Sequence, residues 1–173
     1  MVESVHLTIR PETPADGQRV RDVIVAAFGG VDEASLVDQL RGQPGVFSFV
    51  ALNGADLIGF IMFSPIAGQG GPGLLRGVGL APLAVRPDLQ ARGVGSALVR
   101  YGVEDCRRRQ LGLVVVLGHP GYYPRHGFVT AAPAELRCKW SMDNGNFMYL
   151  ELETDHRKLA GGLVSYCPEF DAF

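Results

Sequence analysis

Residues Val78 to Gly95 read VGLAPLAVRPDLQARGVG, and the parsing of this stretch decides the fold. It begins as an apolar run with strand character and breaks at Arg86-Pro87-Asp88. It then enters a helix through Gln90-Ala91-Arg92-Gly93-Val94-Gly95. The first N–H groups of a helix have no intrahelical partner, and the macrodipole places roughly half a positive charge there. A strand delivering a glycine-containing turn onto a helix N-terminus is therefore an anion site. Gly93 and Gly95 allow close approach because no Cβ stands in the way. The stretch predicts a site for a phosphate-bearing cofactor.

The turn excludes two common versions of such a site. A dinucleotide fingerprint needs a small residue three places after Gly95, where Leu98 stands, and an acid about 20 residues further on. That later region reads Leu117-Gly118-His119-Pro120, without an acid, and no Gly-Lys-Ser/Thr tripeptide supplies a P-loop. What remains is Q-x-x-G-x-G directly after L-A-V-R-P. This resembles the coenzyme A signature of the GCN5-related N-acetyltransferases (GNAT).

A second segment, L-G-H-P-G-Y-Y-P-R-H-G-F from Leu117 to Phe128, matches another signature of that family through Tyr123-x-x-x-Gly127-Phe128. Glu33-Ala-Ser-Leu-Val, the run Leu163 to Tyr166 and Phe170 extend the likeness to the YhbS-like bacterial branch. The resemblance implies an α/β fold with a mixed sheet, the acyl-CoA N-acyltransferase fold, whose central parallel strands splay to admit acetyl-CoA. It implies that the backbone of Leu83, Ala84 and Val85 pairs with the pantetheine amides. It also implies that Gln90, Ala91, Arg92, Gly93, Val94, Gly95 and Ser96 wrap the pyrophosphate. Tyr123 is implied as general acid, and Tyr122 is read as packing. The chemistry suits a phenol: the leaving group is a thiolate of pKa about 8.5, and a phenol of pKa about 10 can hydrogen-bond to it and protonate it.

The base is less clear. An alkylammonium acceptor, of pKa about 10, must lose a proton before attack. Val78 to Val85 contains no carboxylate, whereas many relatives place a glutamate there. His119, at the end of the second parallel strand, is one candidate base, directly or through water. Substrate orientation and simple solvent exposure are its alternatives. Glu33 and Asp38 are weaker candidates, and deprotonation by water alone stays open.

Composition bounds the rest. The chain has 173 residues, 47% hydrophobic and 20% charged, which suits one globular domain over residues 1–173. A formal charge of -2 argues against a nucleic-acid partner, and Arg107-Arg108-Arg109 reads as the last turn of a helix. Cys106, Cys138 and Cys167 show no zinc spacing. Neither do His6, His119, His126 and His156, so no metal site is expected. Reduced thiols, no signal peptide and no apolar segment of spanning length point to a cytoplasmic protein without a membrane partner.

Around the central stretch, periodicity predicts a strand over His6–Arg10 and a helix opened by Thr13-Pro14 that carries Val20, Val23, Ile24, Ala27 and Phe28. A second helix is capped by Asp32. A hairpin joins Val46–Leu52 to Leu57–Phe63 through Asn53-Gly54, and Gly68–Gly73 is a loop. Pro82 inside a strand signals either a bulge or separation from a neighbour. The helix from Gly93 runs to near Gly112, Leu113–Leu117 is a buried parallel strand, and a short helix spans Pro120–His126. Strands follow at Phe147–Glu153 and Leu163–Tyr166.

The expected activity is acetyl transfer from acetyl-CoA to a primary amine, on a small molecule, a peptide or a protein, by direct attack in a ternary complex. A homodimer is a further expectation drawn from related enzymes. Two alternatives are a non-catalytic acyl-CoA sensor on the same fold and a nucleotide-binding protein unrelated to CoA. No G-x-S-x-G, Cys–His or paired-carboxylate arrangement suggests hydrolysis.

Overall fold

The structure, a computed structural model, describes residues 6–70, 76–142, 144–152 and 161–172. His156, Glu153, Phe173 and the Gly71–Gly73 part of the glycine cluster lie outside them. The fold is α/β, with a mixed sheet and, among the described residues, three α-helices. The chain forms two compact units. One contains residues 1–62 and 82–102, and the other residues 63–81 and 103–172.

In the first unit, β1 (Leu7–Pro11) pairs antiparallel with β2 (Phe47–Asn53), and the strand order continues through β3 (Asp56–Pro65) to β5 (Gly77–Val85). Helix α1 (Gly17–Phe28) buries Val20, Val23 and Ile24. Phe28 is 45% exposed, so the apolar stripe ends a turn earlier than its periodicity predicts. Gly29 stops the helix in the left-handed region, at φ 78. In α2 (Asp32–Leu40), Val31 holds the cap position and Asp32 is the first helical residue. Its carboxylate thus serves the N-terminal dipole rather than capping. Helix α3 (Val94–Arg108) begins in this unit. Val94 and Leu98 lie against Gly59 of β3, where an added Cβ would stand 3.1 and 3.0 Å from them. Tyr101 meets Phe49 edge to face at 5.0 Å.

In the second unit, the later half of α3 carries Cys106, fully buried, whose thiol desolvation pushes up to about 12. That excludes a nucleophile role at neutral pH. Arg107 and Arg108 occupy the last helical turn, and the helix ends there, short of Gly112. The strand order is β5, β6 (Leu113–Leu117), β9 (Phe147–Glu151), β7 (Val129–Thr130). A second sheet places β10 (Gly162–Ser165) between β4 (Ala67–Gly70) and β8 (Leu136–Cys138). Gly68 to Gly70 is therefore strand rather than loop. Its backbone pairs with β10, a partner more than ninety residues away that no local signal reveals.

Two features of β5 prepare the site. It pairs in parallel with β6 only from Gly77 to Gly79, and β6 goes on pairing with β9 as far as Leu117. Toward β3, Arg86 N–H donates to the Ile58 carbonyl and Ile66 N–H to the Gly77 carbonyl. Ile58 to Ile66 is eight steps and Gly77 to Arg86 is nine, so β5 holds one extra residue, a bulge, in the stretch containing Pro82.

Candidate active site

The strand-to-helix turn is at the surface of the first unit. Gln90, Ala91, Arg92 and Gly93 are exposed, while Val94 is buried as its anchor. The first helical bond is Ala97 N–H to the Gly93 carbonyl, at 2.9 Å. From Ala91 through Ser96, six consecutive amides have no acceptor among the described residues. Ala91 has φ 58 and Gly93 φ 87, both left-handed. Left-handed backbone on either side of Arg92, at the positive end of α3, suits an anion nest. Ala91 holds this conformation despite its Cβ, a strain of about 1–2 kcal/mol.

Gln90 has a different part from its neighbours. Its side-chain amide donates to the Val85 carbonyl at 3.0 Å, tying the turn to the strand end. Its own N–H reaches the Pro87 carbonyl at 3.4 Å, so the open amides begin at Ala91. Arg86 and Asp88 form an ion pair within the turn. Along β5, Leu83 is half-buried and Ala84 and Val85 are buried.

In the second unit, Tyr123 opens a 3-10 turn (Tyr123–His126) closed by Gly127 at φ 89. The turn is shorter than the Pro120–His126 helix expected, because Pro120 and Gly121 precede it as a separate turn closed by Tyr122 N–H on the His119 carbonyl. The Tyr123 ring is 8% exposed and meets Tyr122 and Phe128 edge to face at 5.0 and 5.5 Å. One edge of it lies against Gly118, where any Cβ would come within 2.2 Å of it. Desolvation, with a smaller contribution from Tyr122, raises its phenol well above the ordinary value. The hydroxyl has no hydrogen-bond partner among the described residues. Tyr122 packs against Tyr123 and His126, with Arg125 over its ring.

The base candidates fare differently. His119 is exposed, and its Nδ1 accepts the Gly121 N–H at 3.0 Å. The neutral ring then carries its proton on Nε2, which makes that nitrogen a donor. Asp38 is held by Arg21 and Arg41 in the first unit and is occupied as a structural acid. Glu33 is half-buried on α2. Among the described residues, no cluster of three or more His, Cys, Asp or Glu is arranged to hold a metal. No helix among them is long and apolar enough to cross a membrane.

No local signal in the sequence marks Ala91's left-handed backbone or the glycine beneath the Tyr123 ring. The His-Pro-Gly-Tyr-Tyr string draws attention to its polar residues, whereas Gly118 matters through what it leaves empty.

Comparison with known proteins agrees with this geometry. Residues 44–130 match the acetyltransferase (GNAT) domain family. The chain is 34% identical to the N-acetyltransferase YhbS of Escherichia coli K12 over 96% of its own length and all of the relative's. The crystal structure of E. coli YhbS in complex with CoA superposes with a TM-score of 0.89, covering 100% of this chain and 96% of that one at 32% identity. A GNAT acetyltransferase from Brucella melitensis in complex with acetyl-CoA gives 0.78, covering 97% and 100% at 30% identity. The chain belongs to the GNAT acetyltransferase family.

Proposed function

We propose that this protein is an acetyl-CoA-dependent N-acetyltransferase that passes the acetyl group to a primary amine by direct attack in a ternary complex. The observation that carries the reading is the run of unpaired amides from Ala91 to Ser96 on a turn that is left-handed at Ala91 and Gly93. A diphosphate is the ligand such a run suits, since many donors must be met by several anionic oxygens at once. The CoA and acetyl-CoA bound in the two similar structures support the same choice.

In this reading Gly93, Val94, Gly95 and Ser96 hold the diphosphate with Ala91 and Arg92, and Gln90 braces the turn. The backbone of Leu83, Ala84 and Val85, beyond the point where parallel pairing with β6 ends, receives the pantetheine amides. The thioester supplies an activated acyl carbon. Tyr123 holds its proton at Oη for the departing sulfur. Burial keeps that proton in place across the working pH range. The ammonium of the acceptor loses its proton to water. His119, with Nδ1 engaged, offers Nε2–H as a donor at the acceptor side. The acceptor itself is an amine of a small molecule, peptide or protein.

The test is thiol release from acetyl-CoA across a panel of amines and peptides, together with thermal shifts for acetyl-CoA, CoA, ATP and NAD. Stabilisation by acetyl-CoA and CoA with amine-dependent thiol release is expected. Stabilisation by ATP or NAD alone would defeat the reading. A non-catalytic acyl-CoA sensor is favoured by one observation, the lack of any carboxylate along Val78–Val85. It would show acetyl-CoA stabilisation with no amine-dependent release.

A further inference from the structure

The second unit holds a cavity of about 350 Å³ that the function proposed above does not use. Leu136, Phe147 and Met142 give it apolar walls. The first two are buried, whereas Met142 is 61% exposed, so a ligand there would cover it. Ser141 also lines the cavity, but its hydroxyl is committed. It donates to the Cys138 carbonyl at 2.8 Å and accepts the Cys138 N–H at 3.3 Å.

Arg137 is the one ionisable residue among the described residues of the lining. Its side chain is exposed on β8 and has no ion pair or hydrogen bond among the described residues. Most other arginines face a carboxylate: Arg10 and Arg19 share Asp16, and Arg21 and Arg41 share Asp38. Lys139, two positions on, already has Asp171. A cation without a counter-charge, beside apolar walls, suits one class of ligand. A guanidinium meets a carboxylate through two parallel hydrogen bonds. A phosphate monoester brings nearly two charges and three acceptor oxygens, more than one guanidinium answers. A polyamine finds no acid among the described residues of the lining.

We infer that this cavity binds a small carboxylate with an apolar body, its carboxylate on Arg137 and its chain against Leu136, Met142 and Phe147. The volume is at the small end for ligand cavities, about 300–1,000 Å³. The site adjoins the end of β6 and leaves Tyr123 clear. Phe147 pairs with Leu117, and the Asn146 carbonyl accepts the Gly118 N–H. Leu117 and Phe147 therefore share one face of the sheet, and Gly118 with the Tyr123 ring takes the other. An amino acid acceptor and a carboxylate that is never acetylated offer the cavity the same group, and the experiment separates them.

Isothermal titration calorimetry with hexanoate, its ε-amino derivative, hexylamine and acetate tests the site in wild type, Arg137→Gln and Met142→Ser. Hexanoate and its ε-amino derivative are expected to bind wild type. Hexylamine, without the carboxylate, and acetate, without the apolar chain, should bind at least about tenfold more weakly. Arg137→Gln should weaken hexanoate on the order of tenfold and Met142→Ser about threefold. Neither should lower the melting temperature of the free protein, since both side chains are exposed. Hexanoate affinity unchanged in Arg137→Gln, hexylamine bound as tightly as hexanoate, or no saturable hexanoate binding by wild type would overturn the inference. Thiol release from acetyl-CoA with the ε-amino derivative, at a KM that Arg137→Gln raises, would support the site as the seat of the acceptor's carboxylate. Binding without thiol release would support it as a site apart from the acceptor's. The titrations need no turnover, so failure of the function proposed above leaves them decisive.

Discussion

Gly118 and Tyr123 are in direct contact: the ring occupies the volume where a side chain at 118 would begin, 2.2 Å from a built Cβ. Gly118→Ala must therefore push the ring away from β6, since backbone-attached Cβ atoms do not tolerate such distances. Tyr123→Phe removes only the hydroxyl. Both are expected to lower kcat, Tyr123→Phe by about 10²- to 10⁴-fold as the loss of a proton donor. KM for acetyl-CoA should stay within about twofold for Tyr123→Phe, because the phosphate turn is on other residues. Steady-state kinetics with saturating amine checks this, and a Tyr123→Phe enzyme at full rate would remove the phenol from the mechanism.

Ala91 and Gly93 make opposite predictions within one turn. Gly93 sits at φ 87 with open space where a Cβ would go, so Gly93→Ala meets backbone strain alone. The strain, about 1–2 kcal/mol, opposes the conformation that aims the amides. Acetyl-CoA affinity should fall about tenfold. Ala91→Gly relieves the strain that Ala91 already bears at φ 58. Against the added freedom of the unfolded chain, the net gain is about 0.5 kcal/mol, or roughly 1–2 °C in Tm. Calorimetric titration of acetyl-CoA and thermal melts distinguish the two, and equal behaviour of both variants would show that the nest does not hold the ligand.

The central stretch was legible because its signals are local. An apolar run, Arg-Pro-Asp and glycines at Gly93 and Gly95 dictate strand, turn and helix N-terminus without help from the rest of the chain. Pro82, read as either a bulge or separation from a neighbour, lies in the stretch of β5 that carries the bulge. What escaped depends on partners distant in sequence. The Gly68–Gly70 strand exists because β10 pairs with it, and Phe28 is exposed because the helix stripe outruns the surface it covers. The same holds for the site. Gly79 and Gly118 are unremarked in the sequence, and only the folded chain shows that each makes room for a tyrosine.

The pH dependence of transfer follows from the state of Tyr123. Burial raises its phenol above the ordinary value of about 10, so the protonated, competent form persists through pH 10. The acceptor must be deprotonated, and for an alkylamine that occurs near pH 10. kcat/KM for the amine should rise about tenfold per pH unit below that value, with no descending limb before about pH 10. A profile measured from pH 6.5 to 9.5 checks it. A fall centred near pH 8 or 9 would mean that the proton donor is not this phenol.

Asp16 fixes the start of α1 from a fully buried position. Its carboxylate accepts from Arg10 at 2.7 and 2.9 Å, from Arg19 at 2.6 Å, and from both the N–H and Oγ1 of Thr13 at 2.8 Å. The Arg10 hydrogen bond is the largest cause holding its pKa far below the carboxylate range, against the opposing effect of burial. Asp16→Asn keeps the shape but leaves two guanidiniums facing a neutral amide. The cost expected is about 2–4 kcal/mol, near 10 °C in Tm for a chain of this size. A depressed folded-state pKa contributes stability that is complete above the unfolded value, about 3.9, and drains away as pH falls toward the folded one. Urea midpoints of wild type and Asp16→Asn should therefore differ equally at pH 7 and pH 5.5 and converge as pH drops below about 4. A gap that widened on acidification would show that Asp16 is not held as the anion.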